Sequence, residues 1–187
     1  MNIRITLMSL LAMFTFLSCN QAQQPSGKEQ SPRDKDRVFL SLEGEKLDYV
    51  EKENEAWKAE LEPMAYSVLR QSDTERPFTG DLLKNKKEGI YTCGGCGLAL
   101  FSSQDKFKSG TGWPSFYDVV REDHIWEKKD YSLGMVRVEI LCARCGGHQG
   151  HVFEDGPAPT GLRYCINSAS LDFVKVDPEK LAVFDKP

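Results

Sequence analysis

One cysteine of this chain stands away from the others. Cys165 sits two residues after Arg163 and two before Asn167, within residues 161–171. On an extended segment these three side chains share one face, because strand side chains alternate. A guanidinium beside a thiol favours the thiolate, which is the nucleophilic form. The carboxamide of Asn167 can donate and accept hydrogen bonds. The bland alternative is a small buried core cysteine, inert and well packed.

Four further cysteines come in two pairs, Cys93-Gly94-Gly95-Cys96-Gly97 and Cys142-Ala143-Arg144-Cys145-Gly146. Each pair sets two thiolates two residues apart, followed by a glycine that lets the turn fold back. Two such turns supply the soft tetrahedron that zinc takes in closed structural sites, with no open position for catalysis. Redox dithiols and structural disulfides are the alternatives. The first motif usually opens a helix near a βαβ pattern, whereas these pairs lie among strands; the second is permitted in an exported protein.

His148 and His151 are three apart, but Gly146, Gly147 and Gly150 around them argue against a helix carrying a metal pair. On a loop feeding a strand they are candidate acid/base or orienting groups near a nucleophile. Trp113 lies in the glycine-rich stretch 109–116, where a ring is either packing or presented at a surface.

The elements that must position these groups are mostly strands. Residues 53–71 carry Trp57, Leu61, Met64, Ala65, Val68 and Leu69 at offsets of three and four, an amphipathic helical region. Pro63 splits it into a short helix and a second helix with the proline in its first turn. From residue 89 the period changes to that of strands. Residues 90–92 and 98–101 flank the first cysteine pair, and 116–120 and 124–128 are short strand candidates. Residues 135–141 alternate most clearly, with Val136, Val138 and Ile140 predicted inward and Arg137 and Glu139 outward. Residues 151–153, 163–167 and 171–176 complete the set. The fold class is therefore mainly β, a small antiparallel barrel or sandwich with a short N-terminal helical region and a structural zinc site.

Residues 1–19 are a leader rather than fold. Arg4 supplies a positive start, and the apolar run 5–17 is short for a bilayer span. It ends in Phe16-Leu17-Ser18-Cys19, which resembles a bacterial lipobox, in which the cysteine is lipidated; Phe16 departs from the aliphatic residue usual there. A plain signal peptide cut nearby is the alternative. Polar residues follow, read as a flexible tether over 20–52, with the functional domain over 53–177 and a tail over 178–187. The chain is thus expected to be exported and held on a membrane through its N-terminal lipid, in the periplasm or at the cell surface. A net charge of −4 offers no basic footprint for nucleic acid.

Together these motifs resemble the B-type peptide-methionine sulfoxide reductases, which act on the R epimer. The likeness runs from about residue 57 to residue 176. It rests on Arg76-Pro77-Phe78-Thr79-Gly80, both cysteine pairs, Gly110 with Gly112-Trp113-Pro114-Ser115-Phe116, Gly147-His148 with Gly150-His151-Val152-Phe153, Asp155-Gly156-Pro157, and Arg163-Tyr164-Cys165 with Asn167-Ser168-Ala169-Ser170-Leu171. The resemblance implies a β fold with zinc on Cys93, Cys96, Cys142 and Cys145, away from the active site. It implies a thiol nucleophile at Cys165, catalytic support from His148, His151 and Asn167, and substrate binding by Trp113, whose ring takes the S-methyl group, and by Arg163. Oxidised proteins would be the substrates. Cys165 would become a sulfenic acid, which condenses with a thiol.

Many members of that family carry a recycling cysteine between Gly110 and Gly112, where this chain has Thr111. With Cys19 given to lipid, four cysteines to zinc and Cys165 to chemistry, none of the six remains to recycle the enzyme internally. A small thiol or thioredoxin-like reductant is then expected. The competing readings are a zinc-stabilised binding module without catalysis and a thiol-disulfide exchange protein using the paired cysteines.

Overall fold

The structure is a computed structural model and describes residues 37–176. The leader with Cys19, most of the tether and the tail over 178–187 lie outside the described residues. Among the described residues no helix is long and apolar enough to cross a membrane.

The amphipathic segment forms two helices, α1 (Asn54–Glu60) and α2 (Pro63–Gln71), with Pro63 in the first turn of the second. A proline there costs nothing, since the first-turn amides have no intrahelical acceptor. The break falls at Leu61, which is extended, and Glu62, at φ −58° and ψ 148°. Trp57, Val68 and Leu69 turn inward.

The described residues form eleven strands in chain order: β1 (Phe39–Leu40), β2 (Lys46–Leu47), β3 (Gly89–Cys93), β4 (Ala99–Ser102), β5 (Lys106–Phe107), β6 (Ser115–Phe116), β7 (Ile125–Asp130), β8 (Arg137–Cys142), β9 (His148–Phe153), β10 (Arg163–Ile166) and β11 (Leu171–Lys175). All pairings are antiparallel. One sheet runs β5-β6-β10-β9-β8-β7, a second β11-β3-β4, and β1-β2 form a small hairpin. The core draws Tyr91 and Phe101 from the smaller sheet and Phe116, Ile140, Tyr164 and Ile166 from the larger. Phe101 stacks on Phe116 at 4.5 Å between ring centroids.

Two expectations are corrected. The tether does not reach residue 52: Phe39 is buried in the core, and Tyr49 and Val50 pack against it. Its few apolar residues dock because the main fold leaves a surface for them. The outward face predicted for Arg137 and Glu139 is not a solvent face either. Glu139 is buried, whereas Val136, assigned inward, is exposed and lies outside the strand. Alternation names the residues that share a face; here the polar face of β8 is covered by the candidate site.

Candidate active site

Both cysteine pairs close tight turns. The Gly97 amide donates to the Cys93 carbonyl and the Gly146 amide to the Cys142 carbonyl. This brings all four sulfurs within 4.8 Å of one another, with Cys93 and Cys145 3.6 Å apart and Cys96 and Cys142 3.5 Å apart. Four thiols so close and largely buried cannot all ionise without a cation, and a donor set of four sulfurs fits zinc. Cys93, Cys96, Cys142 and Cys145 are the structural zinc site. That one cluster contains both pairs also argues against two separate redox dithiols. Gln149 touches this site through Nε2, 3.5 Å from the Cys93 sulfur.

Cys165 lies in β10, opposite His151 of β9 on one side and Ser115 of β6 on the other. The close approach of β9 needs Gly150, where a Cβ would stand 2.0 Å from the Cys165 carbonyl oxygen. Thr111 places its hydroxyl 3.9 Å from the Cys165 sulfur. A chain of hydroxyls continues from it, with Ser109 2.9 Å from Thr111 and 2.7 Å from Ser115. Arg163, two residues before the thiol, forks onto Asp155 at 2.8 and 2.9 Å and lies over the Phe153 ring. Burial pushes the Cys165 thiol above its ordinary pKa, and the Thr111 hydroxyl and Arg163 guanidinium pull it back only in part. The expected thiolate-favouring pull of Arg163 is therefore present but outweighed, in part because Asp155 neutralises the guanidinium.

Beside Cys165 the face of β9 carries both histidines, with ring centroids 5.5 Å apart. His151 Nε2 sits 2.9 Å from Asp130 Oδ2, and Arg137 bonds the same carboxylate oxygen at 2.6 Å. Ser132, through its hydroxyl and its backbone amide, holds the Asp130 carboxyl well below the usual range. Asp130 is thus an anion that can only accept. His151 donates from Nε2, which leaves Nδ1 bare when the ring is neutral. His148 Nδ1 lies 2.7 Å from Glu139 Oε1. Burial pushes the Glu139 carboxyl up, but the His148 contact and the charges of His148 and Lys128 outweigh it and leave the carboxyl below its ordinary range. His148 therefore donates from Nδ1, while its buried Nε2 has no partner among the described residues. A buried orphan nitrogen of this kind marks a place for a water or a substrate atom.

Asn167 and Trp113 meet in Glu75. Strand β10 ends at Ile166, and Asn167 continues extended as the residue before a short 3-10 turn. Its buried carboxamide accepts from the Glu75 amide at 3.1 Å and donates to the Gln149 carbonyl at 3.1 Å. The Glu75 carboxylate receives the amides of Ser168 at 2.6 Å and Ala169 at 2.9 Å. Its carbonyl accepts the Trp113 indole N–H at 3.1 Å, fixing the half-buried ring. Gly112 lets this loop seat: its φ is +99° and an added Cβ would meet Pro77 at 2.7 Å. Glu75, Asp130, Glu139 and the Ser109–Ser115 pair are site residues that residue type and spacing do not mark. The one sequence signal for Glu75 was its place beside Arg76-Pro77-Phe78-Thr79-Gly80.

A family model described as the SelR domain matches residues 61–175. The chain is 63% identical over 124 residues to the peptide methionine sulfoxide reductase MsrB of Methanosarcina barkeri, covering 66% of this chain and 87% of that protein. It is 60% identical over 126 residues to the protein of the same name from Leptospira interrogans, covering 67% and 96%. With Bradyrhizobium diazoefficiens the figures are 54% over 132 residues, 71% and 93%. With its zinc cysteines, its lone thiol and its paired histidines on one sheet, the chain belongs to the SelR domain family.

Proposed function

We infer that this protein reduces methionine-R-sulfoxide in polypeptides back to methionine, as a peptide-methionine (R)-S-oxide reductase. The observation that carries the reading is the convergence of Cys165 with two histidines, each held by its own carboxylate, on one sheet face within a chain so similar to peptide methionine sulfoxide reductases.

Cys165 gives up its proton, for which the bare Nδ1 of His151 is the base, and its sulfur attacks the sulfoxide sulfur. The sulfoxide oxygen occupies the place left at His148 Nε2 and is protonated there by a water, or by the ring when both its nitrogens carry protons. The protonated oxygen departs as water, leaving the Cys165 sulfur bonded to a sulfonium sulfur of the substrate. Water then attacks the Cys165 sulfur, the sulfur–sulfur bond breaks with its electron pair going to methionine, and Cys165 is left as a sulfenic acid. The sulfur of the substrate is reduced by two electrons and that of Cys165 oxidised by two. Trp113 holds the S-methyl group against its ring. Arg163 tempers the cost of the buried thiolate. Asn167 acts as a positioning residue, tying the segment after Cys165 to the segment that holds Trp113. When bound, zinc supplies folding free energy, and no step of the reaction needs it. An external thiol then condenses with the sulfenic acid, releasing water, and a second thiol reduces the mixed disulfide.

Assay with matched R- and S-sulfoxide peptides tests the reading. The R epimer should be consumed and the S epimer left, with turnover abolished in a folded Cys165→Ser variant. Equal consumption of both epimers, or activity surviving in that variant, contradicts it. A folded wild type without turnover would favour the non-catalytic binding module.

We also propose that Cys19 is lipidated and that the domain is exported and held at a membrane through that lipid. The lipobox-like Phe16-Leu17-Ser18-Cys19 and the polar stretch behind it support this. Stable anchoring takes more than one acyl chain. The wild type should partition with membranes and the Cys19→Ala variant should be released or left unprocessed; a wild type wholly in the soluble fraction contradicts the proposal.

A further inference from the structure

Next to loop 109–114 lies a groove of about 690 Å³ whose walls differ in character from the rest of the molecule. Its apolar surfaces include the aromatic rings of Phe78, Phe107 and Trp113. Phe78 is 67% exposed and held at φ +67°, a backbone conformation that a bulky residue rarely adopts. The Phe78 amide donates to the Gly112 carbonyl at 2.8 Å, so the loop that carries Trp113 also holds the Phe78 ring at the surface. An exposed aromatic kept in a strained backbone is poorly explained by folding alone.

The basic walls are Lys84, Lys86 and Lys87 on one side and Lys108 on the other. All four are exposed and form no ion pair among the described residues. Glu88 is the one acidic residue lining the groove, although the chain as a whole carries a net charge of −4. A fifth lysine, Lys106, serves the groove differently. Its Nζ donates to the carbonyls of Leu82 at 2.6 Å, Leu83 at 3.2 Å and Asn85 at 2.8 Å, pinning the segment that presents the exposed lysines. Cys165 does not line the groove. The two are joined by loop 109–114, which presents Trp113 to the groove and Thr111 to the Cys165 sulfur.

We propose that this groove receives the polypeptide flanking the oxidised methionine and selects segments that carry acidic side chains next to it. The inference rests on the reductase reading and adds the class of protein sequence that the enzyme prefers. The aromatic floor takes the apolar part of the segment, and the unpaired lysines draw its carboxylates in. Charge complementarity of this kind chiefly raises the rate of productive encounter and weakens with salt.

The test compares two R-sulfoxide peptides of equal length, one with Asp and Glu around the sulfoxide and one with Lys, and a free N-acetylmethionine-R-sulfoxide amide too small to reach the groove's lysines from Trp113. At low salt kcat/KM should favour the acidic peptide by about tenfold, and the ratio should shrink as salt is raised. Replacing Lys84, Lys86, Lys87 and Lys108 together by Glu should reverse the preference while leaving turnover of the free amide unchanged. Equal kcat/KM for both peptides at low salt would overturn the proposal, as would a preference that survives the charge reversal. So would binding of the wild type to vesicles of anionic phospholipid with no preference between peptides, which would assign the lysines to a membrane surface. Failure of the wild type to reduce even the free amide would instead overturn the reductase reading, and the groove's substrate role with it.

Discussion

Thr111 stands with its hydroxyl 3.9 Å from the sulfur of Cys165, where many relatives carry a recycling thiol by the resemblance noted above. The contact helps to pull the buried thiol's pKa back towards its ordinary range. It also measures how near a side chain at residue 111 comes to the nucleophile.

A thiol introduced by Thr111→Cys should therefore reach Cys165 with little movement of the loop. Disulfides form when the Cα atoms lie within about 7 Å. One equivalent of R-sulfoxide should convert the variant to a linked peptide pair containing residues 111 and 165, detected by mass spectrometry after digestion without reductant. A variant that still accumulates only sulfenic acid would show that the loop cannot close.

His148 and Glu139 should behave as one unit. His148→Ala should lower kcat/KM by about 10²–10³-fold, well beyond what the stability lost by removing a partner of the buried Glu139 carboxylate would explain. Glu139→Gln should lower it less, and the double variant should be no worse than His148→Ala alone, because Glu139 acts by holding His148. Additive losses would separate the two roles. Asn167→Ala should also destabilise the fold, since it leaves the Glu75 amide and the Gln149 carbonyl without the partner they now share.

Acid should destabilise the domain in two stages. Burial holds His151 below its ordinary value of 6.5, against the pull of Asp130. The unfolded chain then takes up the proton first, so this stability is present above about pH 6.5 and is lost as pH falls through the folded value. Asp130 is likewise held below its ordinary 3.8, and its share is present above about pH 4 and lost further into acid. Urea unfolding across pH should show stability falling from neutral pH downwards. His151→Gln should flatten the upper stage. An unchanged slope in that variant would remove His151 from the explanation.

Zinc should be separable from chemistry. Serine at any of Cys93, Cys96, Cys142 or Cys145 should release the metal and lower stability by about 3 kcal/mol or more, roughly 10 °C in Tm for a domain of this size. Cys165→Ser should keep the metal and the Tm. Metal content by mass spectrometry beside a thermal melt checks both. Unchanged metal and Tm in a single zinc-cysteine variant would refute the closed site.

The parts of this site that were legible in the chain were those whose chemistry is written in residue type and spacing. Two cysteine pairs each followed by glycine announce a closed metal site, and Pro63 announces the break between helices. The partners of the histidines were not legible. Glu139 follows the alternation of β8, but alternation does not say which face meets solvent. Asp130 reaches His151 only because β7 pairs with β8 and β8 with β9, a long-range register that local pattern does not carry. Glu75 joins Asn167 and Trp113 across 92 and 38 residues, through backbone groups that any sequence would offer. Asn167 was legible as a neighbour of Cys165, but its partners, the Glu75 amide and the Gln149 carbonyl, were not.

The most direct measurement is a single turnover with no reductant. Enzyme is mixed with one equivalent of R-sulfoxide peptide and a sulfenic-acid trap, and then digested for mass spectrometry. The expected result is one methionine formed per enzyme and the trap attached to Cys165, with the four zinc cysteines unmodified. A quantitative disulfide between Cys165 and one of those four, with no adduct, would contradict external recycling and the closed zinc site together. Methionine formed with Cys165 unmodified would contradict its role as the nucleophile.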